Sequence, residues 1–235
     1  MMKNTIWAFL AIILIAACSS GPSANEMMVS GNVKGLKKGV LYLQHIQDTA
    51  LATLDSLVIE GNGQFSFTVP VESPEVFYLY LKKEDHNEVN DRIVFFGEPG
   101  TVTIDTKWNT FDINPTISGS TTHEKFAEYQ DVLSKFNKKD LELFRAKMNP
   151  EILRDSVLVD SMDALLNRNA LRSVLYSLNF ALNNKDSYIA PYVALYEVPD
   201  AKKIYLDSIY NNLSAEVAAS KYGLGLKKLL DTKTE

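Results

Sequence analysis

Around Gly61-Asn62-Gly63 the chain carries two apolar stretches of strand character, and this pattern limits its folds most. On the C-terminal side Phe65, Phe67 and Val69 alternate with Gln64, Ser66 and Thr68, the two-residue period of a strand with one buried face. On the N-terminal side residues 54–59 are apolar and β-branched enough for a second strand. The glycines accept positive φ and reverse the chain, so residues 54–69 read as a β-hairpin. Two strands alone are not stable in water, so the flanking segments must supply more.

They do. Residues 27–33 and 39–46 read as strands across a turn at 35–39, and residues 48–53 as a polar interruption. Residues 76–81 are apolar on both faces and suit a central strand. A charged loop at 82–91 follows, then strands at 93–96 and 101–106 across Gly97-Glu98-Pro99-Gly100. Short strands at this spacing predict an antiparallel β-sandwich or open barrel.

At Ser118-Gly119-Ser120 the period changes. Thr121 with Glu124 has the spacing of a capping box, and Phe126, Tyr129, Leu133, Phe136, Asp140/Leu141 and Phe144 follow at helical steps. Asn149-Pro150 reads as N-cap and first residue of a second helix running through Leu182. Residues 188–196 and 201–213 read as shorter helices, and 215–230 as a last one interrupted at Gly223-Leu224-Gly225. The expected class is therefore α+β, a β-rich domain at 29–118 followed by an α-helical region at 119–235.

Composition narrows the function classes. The chain is 46% hydrophobic and 23% charged with net charge −5, an ordinary globular balance. Lysine pairs at 37–38, 138–139 and 227–228 are isolated, and no basic stripe points to nucleic acid. Cys18 is the only cysteine, so an internal disulfide, a Cys-x-x-Cys pair and a thiolate-rich zinc site are excluded.

The position of Cys18 is informative. Lys3 precedes an apolar run at 6–17, far short of the ~20 residues a spanning helix needs. The run ends Ile15-Ala16-Ala17-Cys18 and turns polar at once. This resembles a bacterial lipoprotein signal with its lipobox. The resemblance implies removal of residues 1–17, lipid attachment at Cys18, and a tether at 18–28. Several acyl chains together anchor stably where one is marginal. Ser19 after the cysteine, with no acidic cluster, implies by the same resemblance the outer membrane with the body facing the periplasm.

A second resemblance rests on motif order. Gly61-Asn62-Gly63-Gln64-Phe65-Ser66-Phe67 precedes Glu98-Pro99-Gly100-Thr101-Val102-Thr103-Ile104, then Ile117-Ser118-Gly119-Ser120, then Asp186-Ser187-Tyr188-Ile189-Ala190-Pro191. From about Val29 to about Leu230 the chain is similar to the N-terminal domain of unknown function of Bacteroidota thioredoxin-like lipoproteins. That resemblance implies export, a β-rich domain, a helical segment and usually a C-terminal thiol–disulfide domain. The sequence departs at 231–235, about where such a domain would begin, and without Cys-x-x-Cys the family's redox residues have no positions here.

No catalytic constellation stands out. His45, His86 and His123 fall in separate elements without metal-ligand spacing, and residues 84–91 hold acids without the spacing or glycine of an EF-hand loop. No Gly-x-Ser-x-Gly or phosphate loop is present. Tyrosines are more suggestive, since they join apolar area to a polar tip at interfaces. Tyr188, Tyr192 and Tyr196, four residues apart, are expected to make an exposed ridge on one helix and to offer an interaction surface. Asp-Ser/Thr-apolar triplets recur and resemble O-glycosylation acceptors, with Thr49 the best placed in a loop. The expected function is a non-catalytic binding or scaffolding module of the cell envelope, with no cofactor, no metal and no nucleic acid. The alternative is an accessory that docks a separate thioredoxin-like thiol–disulfide oxidoreductase.

Overall fold

The computed structural model describes residues 22–47, 49–83 and 91–234. The signal segment, Cys18, Asp48, His86 and the acidic run at 84–90 lie outside the described residues. Two four-stranded sheets pack face to face, followed by helices, and the sheets do not close into a barrel. The first sheet holds β1 (Glu26–Lys34), β4 (Gln64–Pro70), β7 (Gly100–Lys107) and β8 (Thr116–Ser118) in the order β4-β1-β7-β8. The second holds β2 (Lys38–Gln47), β3 (Ala50–Glu60), β5 (Glu75–Lys83) and β6 (Asp91–Gly97) in the order β3-β2-β5-β6.

The central expectation needs correcting. The strands either side of Gly61-Asn62-Gly63 are not a hairpin. β3 pairs antiparallel with β2, while β4 pairs antiparallel with β1 in the other sheet. The glycines therefore form a corner that carries the chain between sheets. Gly61 has φ +99°, and the Gly63 carbonyl accepts the Val33 N–H at 2.8 Å. The turn Gly97–Gly100 likewise crosses between sheets, from β6 to β7. The first sheet is mixed rather than antiparallel, because β1 runs parallel to β7. The interruption expected at 48–53 is shorter, since β3 begins at Ala50; Thr49 sits in an exposed turn.

Alternation explains the core. Val29 on β1, Phe67 on β4 and Ile104 on β7 meet Leu41 on β2, Phe77 and Leu79 on β5 and Phe95 on β6, all nearly inaccessible. Sealing such side chains contributes about 1.5–3 kcal/mol each. β5 is central and buried on both faces at one end, as its double apolar pattern requires: Val76 and its cross-strand partner Phe96 point away from the sandwich, into a second core made with the helices.

That second core begins with α1 (Thr121–Lys147). Its N-cap is Ser120 rather than Thr121: the Ser120 hydroxyl accepts the His123 N–H at 2.9 Å. The carboxylate expected from Glu124 comes instead from Glu98, which accepts the Thr121 N–H at 2.6 Å and the Thr122 hydroxyl at 2.6 Å. A residue of the turn between β6 and β7 thus caps the first helix. The helix after Asn149 is also shorter than its pattern predicts. α2 (Pro150–Leu153) stops after one turn, and α3 (Ser156–Asn183) restarts behind Asp155, whose carboxylate accepts the Val157 and Leu158 N–H groups.

α1 and α3 form a long hairpin. Its seam follows a seven-residue period through Phe126, Tyr129, Leu133 and Phe136, then turns polar. Asp140 accepts from the Asn169 amide at 2.8 Å, and Lys147 pairs with Asp163. The expected apolar continuation to Leu141 and Phe144 is not the seam: both are about half exposed. Beyond α3 come α4 (Ile189–Tyr192), a π-helical turn at Val193–Glu197, α5 (Lys203–Asn212), α6 (Ala215–Ala218) and α7 (Lys221–Thr232). The last break falls at Ser220, and Gly223 and Gly225 lie inside α7. Gly223 is required there because a Cβ would stand 2.3 Å from the Val217 carbonyl oxygen.

Candidate functional site

β5 and β6 run out from under the sandwich at their Val76–Phe96 end, and the helices close over them. Phe96 is the hub. Its ring meets Phe126, Tyr192 and Tyr222 edge-on at 5.5, 5.3 and 5.9 Å between centroids. Edge-to-face pairs of this kind add to burial energy. Tyr192 and Tyr222 are themselves 5.2 Å apart, and Tyr196 meets Tyr222 at 5.8 Å.

The junction is pinned by polar contacts as well. β2 pairs with β5 no further than His45 opposite Phe77. Beyond that point the first two residues of α7 take over the ladder's free groups. The Tyr222 hydroxyl accepts the buried Val76 N–H at 2.9 Å, and the Lys221 ammonium donates to the Ile46 carbonyl at 2.6 Å. Lys221 also pairs with Glu75, which His45 meets at 3.3 Å on its other oxygen. Burial pushes the Tyr222 and Tyr192 phenols far above the ordinary tyrosine range, so both stay protonated.

Beside this hub a cleft of about 550 Å³ opens between β6, the segment before β8, and α1. Tyr78, Arg92, Asp112, His123, Gln130 and Tyr192 line it, over Phe126. The Arg92 guanidinium lies over the rings of Tyr78 and Tyr80 at 5.6 and 5.4 Å, and its Nε has no hydrogen-bond partner among the described residues. The ring faces attract the cation, and a guanidinium's several donors suit a carboxylate or phosphate. His123 is turned inward: its Nδ1 accepts the Phe96 N–H at 3.3 Å, which fixes the proton of the neutral ring on Nε2. Burial lowers its pKa, and the Glu98 charge partly offsets that.

A larger cleft, about 790 Å³, lies beside α5 and is lined by Asp200, Lys202, Lys203, Asp207 and Lys233. Two of its three lysines are engaged within the fold: Lys203 donates to the Leu230 carbonyl and Lys233 to the Pro199 carbonyl, both at 2.9 Å. It has no aromatic wall.

The three tyrosines singled out by spacing do not form one open ridge. Tyr188 precedes α4 and donates to Glu216 at 2.6 Å; burial, and after it the Glu216 carboxylate, raise its pKa to about 12. Tyr192 points into the junction, and Tyr196, on the π-helical turn, is half exposed at its edge. The wider turn places residues four apart nearly over each other, so Tyr192 and Tyr196 touch, at 5.3 Å. Arg92 was missed by the sequence reading, and only the pairing of β6 with β5 reveals it. His45 and His123 belong to different ends of the junction. Among the described residues no three His, Cys, Asp or Glu side chains are grouped to hold a metal ion, and no helix is long and apolar enough to cross a membrane.

Residues 27–126 match the family model of a domain of unknown function, DUF4369. The match is narrower than the resemblance drawn from motif order, which ran on to Leu230. It takes in both sheets, Glu98, Ser120 and the start of α1 as far as Phe126, so the sheet side of the cleft lies inside it. No curated protein and no solved structure matches the chain.

Proposed function

We propose that this chain is a non-catalytic binding module, tethered to the outer membrane through lipid on Cys18, whose sheet–helix cleft holds an anionic group of an envelope ligand or protein. One observation carries the reading: Arg92, stacked on Tyr78 and Tyr80 with a donor left unpaired among the described residues, beside the aromatic wall formed by Tyr192 and Phe126. A guanidinium held in this way gains little inside the fold and much from a carboxylate or phosphate. The lipobox-like Ala16-Ala17-Cys18 supports the tether.

The test is in-cell photo-cross-linking from Gln130, on the wall of the cleft, with Ser66 on β4 as the control position. A partner captured from Gln130, not from Ser66, and lost in Arg92→Ala is the expected result. Capture that is indifferent to Arg92, or identical from both positions, would overturn the assignment of the cleft. A thioredoxin-fold protein captured in this Arg92-dependent way would identify the partner as a thiol–disulfide oxidoreductase and the chain as its docking accessory.

A further inference from the structure

The hairpin of α1 and α3 extends away from the body, and one face of α3 is covered by nothing among the described residues. The seam side of α3 is set by Asp163 paired with Lys147, Asn169 bonded to Asp140, and Tyr176 stacked on Tyr129 at 5.7 Å. On the opposite side Val157, Ala164 and Leu171 recur at seven-residue steps, all exposed, Val157 to 69% and Leu171 to 59%. Of the twenty large apolar side chains that the described residues leave exposed, ten lie between Leu141 and Leu175. Such concentration marks an interaction surface rather than scattered surface apolarity.

The charges beside the stripe select its occupant. Asp160 and Arg168 lie four residues before and four after Ala164. Neither forms an ion pair among the described residues. If two copies of α3 cross antiparallel about a two-fold axis at Ala164, positions equidistant from it meet. Val157 then faces Leu171 of the second copy, and Asp160 faces its Arg168, each contact occurring twice by symmetry. The small side chain of Ala164 on the axis lets the helices approach closely. The register covers residues 156–172 and ends short of Ser177, where α3 enters the buried part of the body. A face built to lie on a membrane would instead be bordered by Lys and Arg on both sides.

We propose that the chain forms a two-fold homodimer by antiparallel pairing of α3 with α3 of a second copy, centred on Ala164 and held in register by reciprocal Asp160–Arg168 pairs.

Sedimentation equilibrium of the full chain in non-ionic detergent at low salt tests it. The wild-type chain is expected to dimerise. Asp160→Arg or Arg168→Asp alone turns both pairs into like-charge contacts and weakens the dimer about tenfold or more. The double variant D160R/R168D restores it to within about threefold of wild type. Leu171→Glu, at an exposed position that leaves folding intact by circular dichroism, abolishes it. A wild-type monomer at about 100 μM, a dimer indifferent to the single changes, or a double variant that fails to recover would each overturn the proposal. A monomer that binds anionic phospholipid vesicles, and loses them with Leu171→Glu, would assign the stripe to a membrane surface instead.

Discussion

The hydroxyl of Tyr222, on the first turn of α7, accepts the backbone N–H of Val76, on β5, across 146 residues of chain. One residue earlier, Lys221 donates to the Ile46 carbonyl on β2. A helix N-terminus thus completes a sheet ladder where the strands diverge. The helical part is not an appendage hung from the sandwich: it satisfies hydrogen bonds that the sheet leaves open.

Tyr222→Phe therefore keeps the ring in the Phe96 cluster and orphans one buried amide. The expected loss is about 1–3 kcal/mol of unfolding free energy, measured by urea denaturation. A loss below about 0.5 kcal/mol would mean that the Val76 amide finds water or another acceptor.

Glu98 joins two roles, capping α1 and facing His123. Glu98→Ala removes the cap and is expected to cost about 1–2 kcal/mol. Glu98→Gln keeps part of the cap and removes the charge that holds the His123 pKa up, so its imidazole should titrate at still lower pH. NMR titration of the His123 ring would show the shift, and an unchanged midpoint would dissociate the two residues.

Burial lowers the His123 pKa in the fold, so below the ordinary imidazole value, about 6.5, the unfolded chain binds the proton that the folded chain refuses. Stability contributed by the neutral ring is present above that value and is lost as pH falls below it, until the folded-state pKa is reached. Glu197 works in the opposite direction: burial raises its pKa, so its cost to stability grows as pH rises above the ordinary carboxylate range. The readout is thus a difference. Between about pH 7 and pH 5.5, His123→Asn should show a smaller fall in the urea midpoint than wild type. Equal slopes would remove His123 as the source.

At the corner between the sheets the two glycines are needed for different reasons. Gly61 has positive φ with open space around it, so Gly61→Asn should cost less than about 1 kcal/mol. At Gly63 a Cβ would fall 2.0 Å from the Val33 carbonyl oxygen, which lies on backbone and cannot turn aside. Gly63→Ala should cost at least about 1–3 kcal/mol, with the order of the two midpoints in thermal melts as the check.

Local pattern determined a great deal here. The alternation Phe65–Phe67–Val69, the doubly apolar β5, and the change to helical period at Ser118-Gly119-Ser120 name the strands, their buried faces and the α+β class, because side-chain direction follows backbone period. The Asn149-Pro150 helix start was legible too, although α2 ends after one turn. Hydrogen-bond partnership was not legible. β3 and β4 share a turn in sequence but belong to different sheets, since alternation says which face is buried and nothing about which strand lies alongside. The same limit hid the site. Arg92 matters only because β6 lies beside β5 and sets it over Tyr78 and Tyr80. Tyr192 faces inward and Tyr196 outward because a π-helical turn and the Phe96 hub meet them there. Glu98 caps a helix 23 residues away. Each of these depends on which surfaces come together, a property of long-range packing that no single stretch of the chain contains.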